Sequence, residues 1–305
     1  MLILIFLSYS FGDLKDDIVD FWDSLNRIGG PTGLEILQYD MHAKTNATAG
    51  NLWEGGVHSL LTNPSEIIYL SPDLKDKYNF AFTYRKIFLD MNANFLGFTK
   101  KVGNDNAFGF SFIGFYPGDM ELRRIPGDPI GIYDAENTIF GITYARKFRA
   151  FTIGGTLRYL NERIFEVSYS TYSFDLGMCR DFVAFNDKSF RLDLSFLHLG
   201  PKYLNDEYRL PLTWHLGLKG NFEPLLLGVS INKPLNTKLQ YTIGGEYFIS
   251  ESFSVRMGKR KNNLLEEFSF GFGLRNNNLS LDYSFSPTII NNLEASHLFT
   301  VSIGI

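Results

Sequence analysis

A single cysteine, Cys179, stands in a chain of 305 residues, and that scarcity excludes several classes of protein at once. One thiol makes no internal disulfide and no cysteine-rich metal site, and its distance from the N-terminus excludes a lipid anchor there. It reads as a small strand residue without chemistry. Long apolar runs are missing too. No stretch approaches the roughly 18 residues of a membrane helix, so any crossing of a bilayer has to be made by strands. Charged residues are only 20% of the chain, and their balance of −4 argues against a nucleic-acid partner. No metalloprotease helix motif, phosphate loop or dinucleotide fingerprint occurs, and Gly154-Gly155 and Gly244-Gly245 read as strand glycines. The five histidines are dispersed. His215 with a serine and an acid would be the nearest thing to a hydrolase triad, but chance supplies such trios among many strands. No enzymatic activity, metal or cofactor is predicted.

What the chain has in quantity is phenylalanine (29) and tyrosine (16), with a mean hydropathy of −0.07, the profile of a chain that is apolar and polar by position. Its last 40 residues show how. Phe268, Phe270, Phe272 and Leu274 alternate with Ser269, Gly271 and Gly273; after three asparagines Leu279, Leu281, Tyr283 and Phe285 alternate with Ser280, Asp282, Ser284 and Ser286. That is a β-hairpin. Phe299, Val301, Ile303 and Ile305 then share the face of a further strand, whose edge calls for pairing with the first strand of a closed barrel. The same texture begins at Tyr78, and the spacing predicts strands near 78–85, 89–100, 106–116, 137–147, 151–161, 167–179, 189–198, 210–220, 224–232, 238–249, 252–259, 266–275, 278–286 and 296–305. These lengths suit tilted strands crossing a bilayer. A soluble β-rich sandwich also alternates. Two features favour the membrane: a polar face rich in Gly, Ser and Thr, where an exposed soluble sheet carries Lys and Glu, and connections that tend to alternate long and short.

The expected fold is therefore all-β: an antiparallel up-and-down transmembrane barrel of about 14 strands, with Trp214, Leu216, Phe270, Phe272, Val301 and Ile303 facing lipid. Its lumen-facing polar residues are predicted to be Arg158, Arg191, Asp193, His215, Lys219, Glu246, Arg256 and Asp282. A barrel of that size needs a plug, and the candidate lies upstream. Residues 1–10 read as a truncated signal peptide or as an ordinary buried segment. Residues 13–27 carry Leu14, Ile18, Phe21, Trp22 and Leu25 at helical spacing, and 32–65 form a compact non-barrel segment ending at Asn63-Pro64, where proline disfavours both helix and ladder. The domains expected are thus 1–10 signal, 11–66 helix and plug, 67–305 barrel. Asn46-Ala47-Thr48 and Asn278-Leu279-Ser280 match a glycosylation pattern that chance produces often.

Read in order, Asn63-Pro64-Ser65, the stretch 88–98, Gly131-Ile132-Tyr133-Asp134-Ala135-Glu136, Tyr144-Ala145-Arg146-Lys147, Tyr172-Ser173-Phe174-Asp175-Leu176-Gly177, Leu199-Gly200-Pro201-Lys202, Leu210-Pro211-Leu212 and Leu281-Asp282-Tyr283-Ser284-Phe285 with His297 resemble the PorV/PorQ proteins, outer-membrane barrels of the FadL-like superfamily. Ser65 stands where that family has alanine. The resemblance implies a fourteen-stranded barrel with an N-terminal plug in a bacterial outer membrane, with outer-membrane lipid around it. It implies a non-enzymatic role, first as an accessory of protein secretion with secretion-machinery partners, second as a conduit for a hydrophobic ligand. A soluble β-rich binding protein is the third reading.

Overall fold

The computed structural model describes residues 32–52, 55–69, 78–118, 120–122, 131–183, 188–203, 208–263, 266–290 and 293–305. The expected signal segment (1–10) and helix (13–27) lie outside the described residues. Fourteen strands close into one antiparallel barrel: β1 (Tyr78–Lys86), β2 (Asn92–Val102), β3 (Asn106–Tyr116), β4 (Ala135–Lys147), β5 (Thr152–Ile164), β6 (Val167–Val183), β7 (Ser189–Leu199), β8 (Thr213–Phe222), β9 (Leu225–Pro234), β10 (Gln240–Ser250), β11 (Phe253–Lys261), β12 (Phe268–Asn276), β13 (Leu279–Ser286) and β14 (Ser296–Gly304). Each pairs with its sequence neighbours, and β14 returns to β1 in register from Asn79↔Gly304 to Lys86↔His297. Ile305 and Tyr78 exchange backbone hydrogen bonds at 2.9 and 3.2 Å, so the final edge is satisfied. A two-stranded ribbon, Met120–Leu122 with Gly131–Tyr133, decorates the β3–β4 connection.

The alternation has one meaning throughout. On β1, Tyr78, Phe80, Phe82 and Tyr84 are exposed and Asn79, Ala81 and Thr83 buried; on β12, Phe270 and Phe272 point out and Ser269 in. Leu216, Val301 and Ile303 are likewise exposed, with Trp214 half-buried on the same face. Ring pairs bridge the outward faces of neighbouring strands, Phe80 to Phe98 and Tyr283 to Phe299 at 4.8 Å, Phe112 to Phe140 at 5.0 Å. Cross-strand aromatic pairs of this kind stiffen a sheet. A soluble sandwich hides its apolar face, and soluble proteins rarely expose apolar patches beyond a few hundred Å². A continuous aromatic and aliphatic outer surface is the face a bilayer requires.

The two ends of the barrel differ. One carries the short turns 103–105, 148–151, 223–224, 251–252 and 277–278, together with the start of β1 and the end of β14; the other carries the long connections 117–134, 200–212 and 287–295, and with them the two-residue turn 165–166. Asn277 adopts φ 45°, which asparagine tolerates, in the two-residue turn expected between alternating strands.

The described part of the N-terminal segment, residues 32–52 and 55–69, lies inside the barrel. It contains 3₁₀ turns at Glu35–Gln38, Gly56–Ser59 and Pro64–Ile68 and one short helix, α1 (Ala43–Ala47). At Pro64–Ile68 the proline sits at the first turn, where its missing N–H is no loss, and the Asn63 side chain accepts from Ser65 N (3.0 Å) and Ser65 Oγ (2.7 Å). The plug packing continues through Ile67 and Ile68, and β1 opens at Tyr78. Leu34, Ile36, Met41, Val57, Leu60, Ile67 and Ile68 form its apolar side against Ala81, Phe95, Ile113, Ile139 and Leu160 of β1 to β5.

With Cys179 replaced by serine, a cysteine introduced at Lys202 in a long connection should react with an impermeant thiol reagent on intact cells, and one at Asn277 should react only after the envelope is opened. Equal reaction at both sites would contradict a barrel with its short turns inside. Phe270→Arg on the outer face should destabilise the folded barrel by roughly 2–4 kcal/mol in urea titrations in lipid vesicles, whereas Asn276→Arg at the turn should change it by less than about 1 kcal/mol.

Candidate functional site

All eight residues predicted to face the lumen lie on the inner face of the wall, seven of them buried and His215 nearly so. They fall into three groups. On β5 and β6, Arg158 is paired with Asp175 and donates to Leu60 O of the plug at 3.2 Å. On β10, β11 and β13, Arg256 bridges Glu246 and Asp282, each at 2.7 Å. On β7 and β8, Lys219 donates to both oxygens of Glu66 (2.9 and 3.0 Å) and approaches Asp193 at 3.4 Å, while Arg191 binds Asp181 at 2.7 Å and reaches Glu66 at 3.8 Å. Asp193 also faces His215 Nε2 at 2.7 Å, and His215 Nδ1 contacts Asn232 Oδ1 at 2.5 Å. Both ring nitrogens of His215 are therefore engaged, by Asp193 and Asn232 rather than by a serine.

Glu66 is the partner that sequence reasoning missed. It is an acid in the first turn of the Pro64–Ile68 segment, a position where acids are common on surfaces, and nothing local signals that it will be buried against Lys219. Asp40 is a second such acid: it meets Arg260 of β11 at 2.5 Å, and Arg260 also donates to Asn46 O at 3.0 Å. Neutral ties complete the attachment. Ala43 N donates to Thr300 Oγ1 (3.0 Å), Asn46 Nδ2 to Ser284 and Ser286 Oγ (2.8 Å each), Asn51 Nδ2 to Thr242 Oγ1 (2.8 Å) and Ser195 Oγ to Thr62 O (3.1 Å). Asn46, part of a glycosylation-like triplet, is thus buried in the wall contact. Asn63 and Pro64 rest on Gly154 and Gly177, and Thr48 rests on Gly244, where any Cβ would collide with plug backbone or side chain.

Between the plug and the wall, in the half of the lumen nearest the long connections, lies a cavity of about 160 Å³. Its plug side carries Leu37, Met41, Val57 and Leu61, joined by Phe95 and Leu197; its far wall, β8 to β11, carries Thr213, His215, Asn232, Gln240, Thr242 and Arg260. Four of the five histidines, His42, His58, His198 and His215, line this one space. His58 Nδ1 lies 2.6 Å from His42 Nε2 with the rings edge to face, and His198 occupies a bulge of β7 with φ 63°, its N–H donating to Asp175 Oδ1 at 2.7 Å. Burial first, then the charges of His58, Lys44 and Arg256, hold the His42 imidazole well below the usual histidine range. Its Nδ1 accepts from Lys44 N at 3.3 Å at the start of α1, a bond open only to the neutral ring.

The fold and its filling define a class: a closed fourteen-stranded barrel with an internal plug and a mixed cavity, resembling the FadL-like outer-membrane channels. Among solved structures, the Pseudomonas putida toluene transporter TodX superposes with a TM-score of 0.60 at 11% identity, over 92% of this chain and 98% of that one. The CymD monoaromatic hydrocarbon channel gives 0.60 at 10% identity, over 89% and 97%. A Pseudomonas aeruginosa FadL homologue gives 0.50 at 11% identity, over 86% and 97%. No family model and no curated sequence matches the chain. These likenesses carry the fold alone.

Removing one partner of a buried pair costs more than the pair is worth. Glu66→Gln should therefore lower stability by on the order of 3 kcal/mol and raise ion conduction in planar bilayers, while Glu66→Gln with Lys219→Met should restore much of both. Gly244→Leu should unseat α1 and raise conduction without changing strand content by circular dichroism. Because the folded state holds His42 neutral, its contribution is complete above the ordinary histidine pKa of about 6.5 and declines as pH falls below it. Thermal stability should drop on acidification through that range, and less steeply in His42→Gln.

Proposed function

We propose that this protein is a non-enzymatic conduit of the bacterial outer membrane for small hydrophobic molecules that carry a neutral hydrogen-bonding group. The observation that carries the reading is the two-sided cavity. One side is aliphatic and aromatic, and the other presents Thr213, Asn232, Gln240 and Thr242. Ligand sites combine an apolar lining with a few polar groups in this way. A void of about 150 Å³ accommodates a benzene ring, so about 160 Å³ suits a monoaromatic compound better than an extended acyl chain.

Charge narrows the class further. Arg260 on the cavity wall is matched by Asp40, and His215 faces Asp193, so a ligand carboxylate finds its natural partners occupied. The FadL-like neighbours, a toluene transporter and a monoaromatic hydrocarbon channel by name, support the conduit reading on fold and scale. The role of secretion accessory retains the sequence resemblance to PorV/PorQ and one geometric point: a plug tied to strands around most of the wall suits a protein that acts by binding rather than by passing cargo through its lumen.

Calorimetry on the detergent-purified protein should show saturable binding of 2-phenylethanol, weakened at least tenfold in Asn232→Leu with Gln240→Leu. Cells producing the protein in an envelope without comparable channels should take up the labelled compound faster than controls. No binding and no uptake for 2-phenylethanol, toluene and phenylacetate alike would sink the conduit reading, and loss of particular surface proteins in a deletion strain would favour the accessory role.

A further inference from the structure

Outward-facing cations are treated differently at the two ends of the barrel. At the long-connection end they meet carboxylates: Lys86 meets Glu294 at 3.0 Å, Arg163 meets Glu136 at 3.1 Å and Lys259, which also lies 4.7 Å from the Phe268 centroid, meets Glu267 at 3.3 Å. At the short-turn end they lie on rings instead. Lys100 Nζ is 5.1 Å from the Tyr78 centroid, Arg146 Cζ 5.6 Å from Phe148, Arg180 Cζ 4.9 Å from Phe182 and Lys188 Nζ 5.8 Å from Phe222. Among the described residues none of these four, nor Arg149 in the turn between β4 and β5, has a carboxylate within ion-pair distance.

We propose that this rim is a binding site for the phosphate groups of anionic phospholipids, centred on Arg146, Arg149 and Arg180. The inference rests on the outer face being lipid-facing and is independent of what the cavity carries. Arg146 continues the outward row of Ile142 and Tyr144 on β4, and Arg180 that of Leu176 and Met178 on β6, so both project from the lower edge of the apolar face. Register sets their spacing. Arg146 pairs with Ile153, which pairs with Met178, two residues before Arg180. Two interstrand steps across and two residues along place their Cα atoms roughly 12 Å apart, a span that two arginine side chains close around one phosphodiester.

Phe148 and Phe151, with centroids 5.3 Å apart, frame the turn that carries Arg149, and Tyr144, Ile153, Leu176 and Met178 form an exposed strip above it for the acyl chains. Aromatic rings at the interface, with long cationic side chains reaching to phosphate, are how membrane proteins meet headgroups. Among the described residues, the acids at this rim do not fill the site. Asp181 is bound to Arg191, and Asp105, Glu223 and Glu251 sit in turns rather than on outward strand positions. Stacking on a ring leaves the guanidinium N–H groups in its plane available to phosphate oxygens.

The test uses the full-length protein in a neutral detergent, with bound lipid counted by native mass spectrometry and thermal unfolding followed in parallel. Phosphatidylglycerol should remain bound and raise the melting temperature, phosphatidylcholine should do so much less, and Arg146→Gln/Arg149→Gln/Arg180→Gln should weaken phosphatidylglycerol binding at least tenfold. The matched variant Lys202→Gln/Lys238→Gln at the opposite end should bind as wild type. If the triple variant does not fold, Arg149→Gln alone should give a loss of about threefold, and the arginine-to-lysine triple should retain binding. Undiminished phosphatidylglycerol on the triple variant, or on the single variant where only that one folds, would overturn the proposal. So would equal engagement of the same arginines by glycerol phosphate or by polyaspartate in place of lipid, which would make the rim a site for free anions or acidic peptides.

Discussion

A charge enclosed in the lumen has to be neutralised where it stands, because withdrawing an ion from water costs several kcal/mol that only a close partner offsets. Two solutions coexist in this barrel. Arg256 with Glu246 and Asp282, Arg158 with Asp175 and His215 with Asp193 are settled within the wall. Lys219 and Arg260 are completed by Glu66 and Asp40 of the plug. The plug is therefore a set of counter-ions as well as a stopper: without it Arg260 would lose Asp40, and Lys219 would keep only Asp193, which it shares with His215. Buried pairs add little net stability but hold position firmly.

Position is held in two further ways, on different sectors of the wall. Over β1 to β5 apolar side chains are set among the polar groups of the inner face, and Leu60, Val57 and Ile67 pack on Phe95, Ile113 and Ile139. Over β10 and β11 glycines let the plug backbone come close: Gly244 leaves room for Thr48, and Gly258 for Ala49. The cavity occurs where these regimes meet, with the apolar flank of the plug on one side and the hydroxyl and amide groups of β8 to β11 on the other. Its mixed lining follows from the division of labour around the barrel.

The wall was legible because a period of two is a strong signal over nine or more residues, and because lipid outside and polar groups inside write that period consistently. Arg158, Glu246 and Asp282 could be assigned to the inner face for that reason. Their partners could not, since pairing depends on register across strands and on the path of the plug. The helix Ala43–Ala47 is five residues long, too short for a helical period to appear, and forms where buried neighbours surround it. His42, His58 and His198 are scattered along the chain and meet only through the fold. Of each glycine pair, Gly154-Gly155 and Gly244-Gly245, the first member faces the plug, a distinction that needs the register to be known. The motifs resembling PorV/PorQ and the superposition on FadL-like channels agree on architecture, and architecture does not choose between a docking partner and a solute.

The seam between β1 and β14 has a consequence for how the molecule is made. Loop closure over such sequence separations is slow, and the contacts that wait for it include the hydrogen bond from Ala43 to Thr300, 257 positions apart. The plug precedes the first strand, so its chain is available to occupy the opening before the last strand arrives. A sheet that curls around this core finds hydroxyls of its final strands matched by groups of the plug, so closing the wall and seating the interior draw on the same contacts.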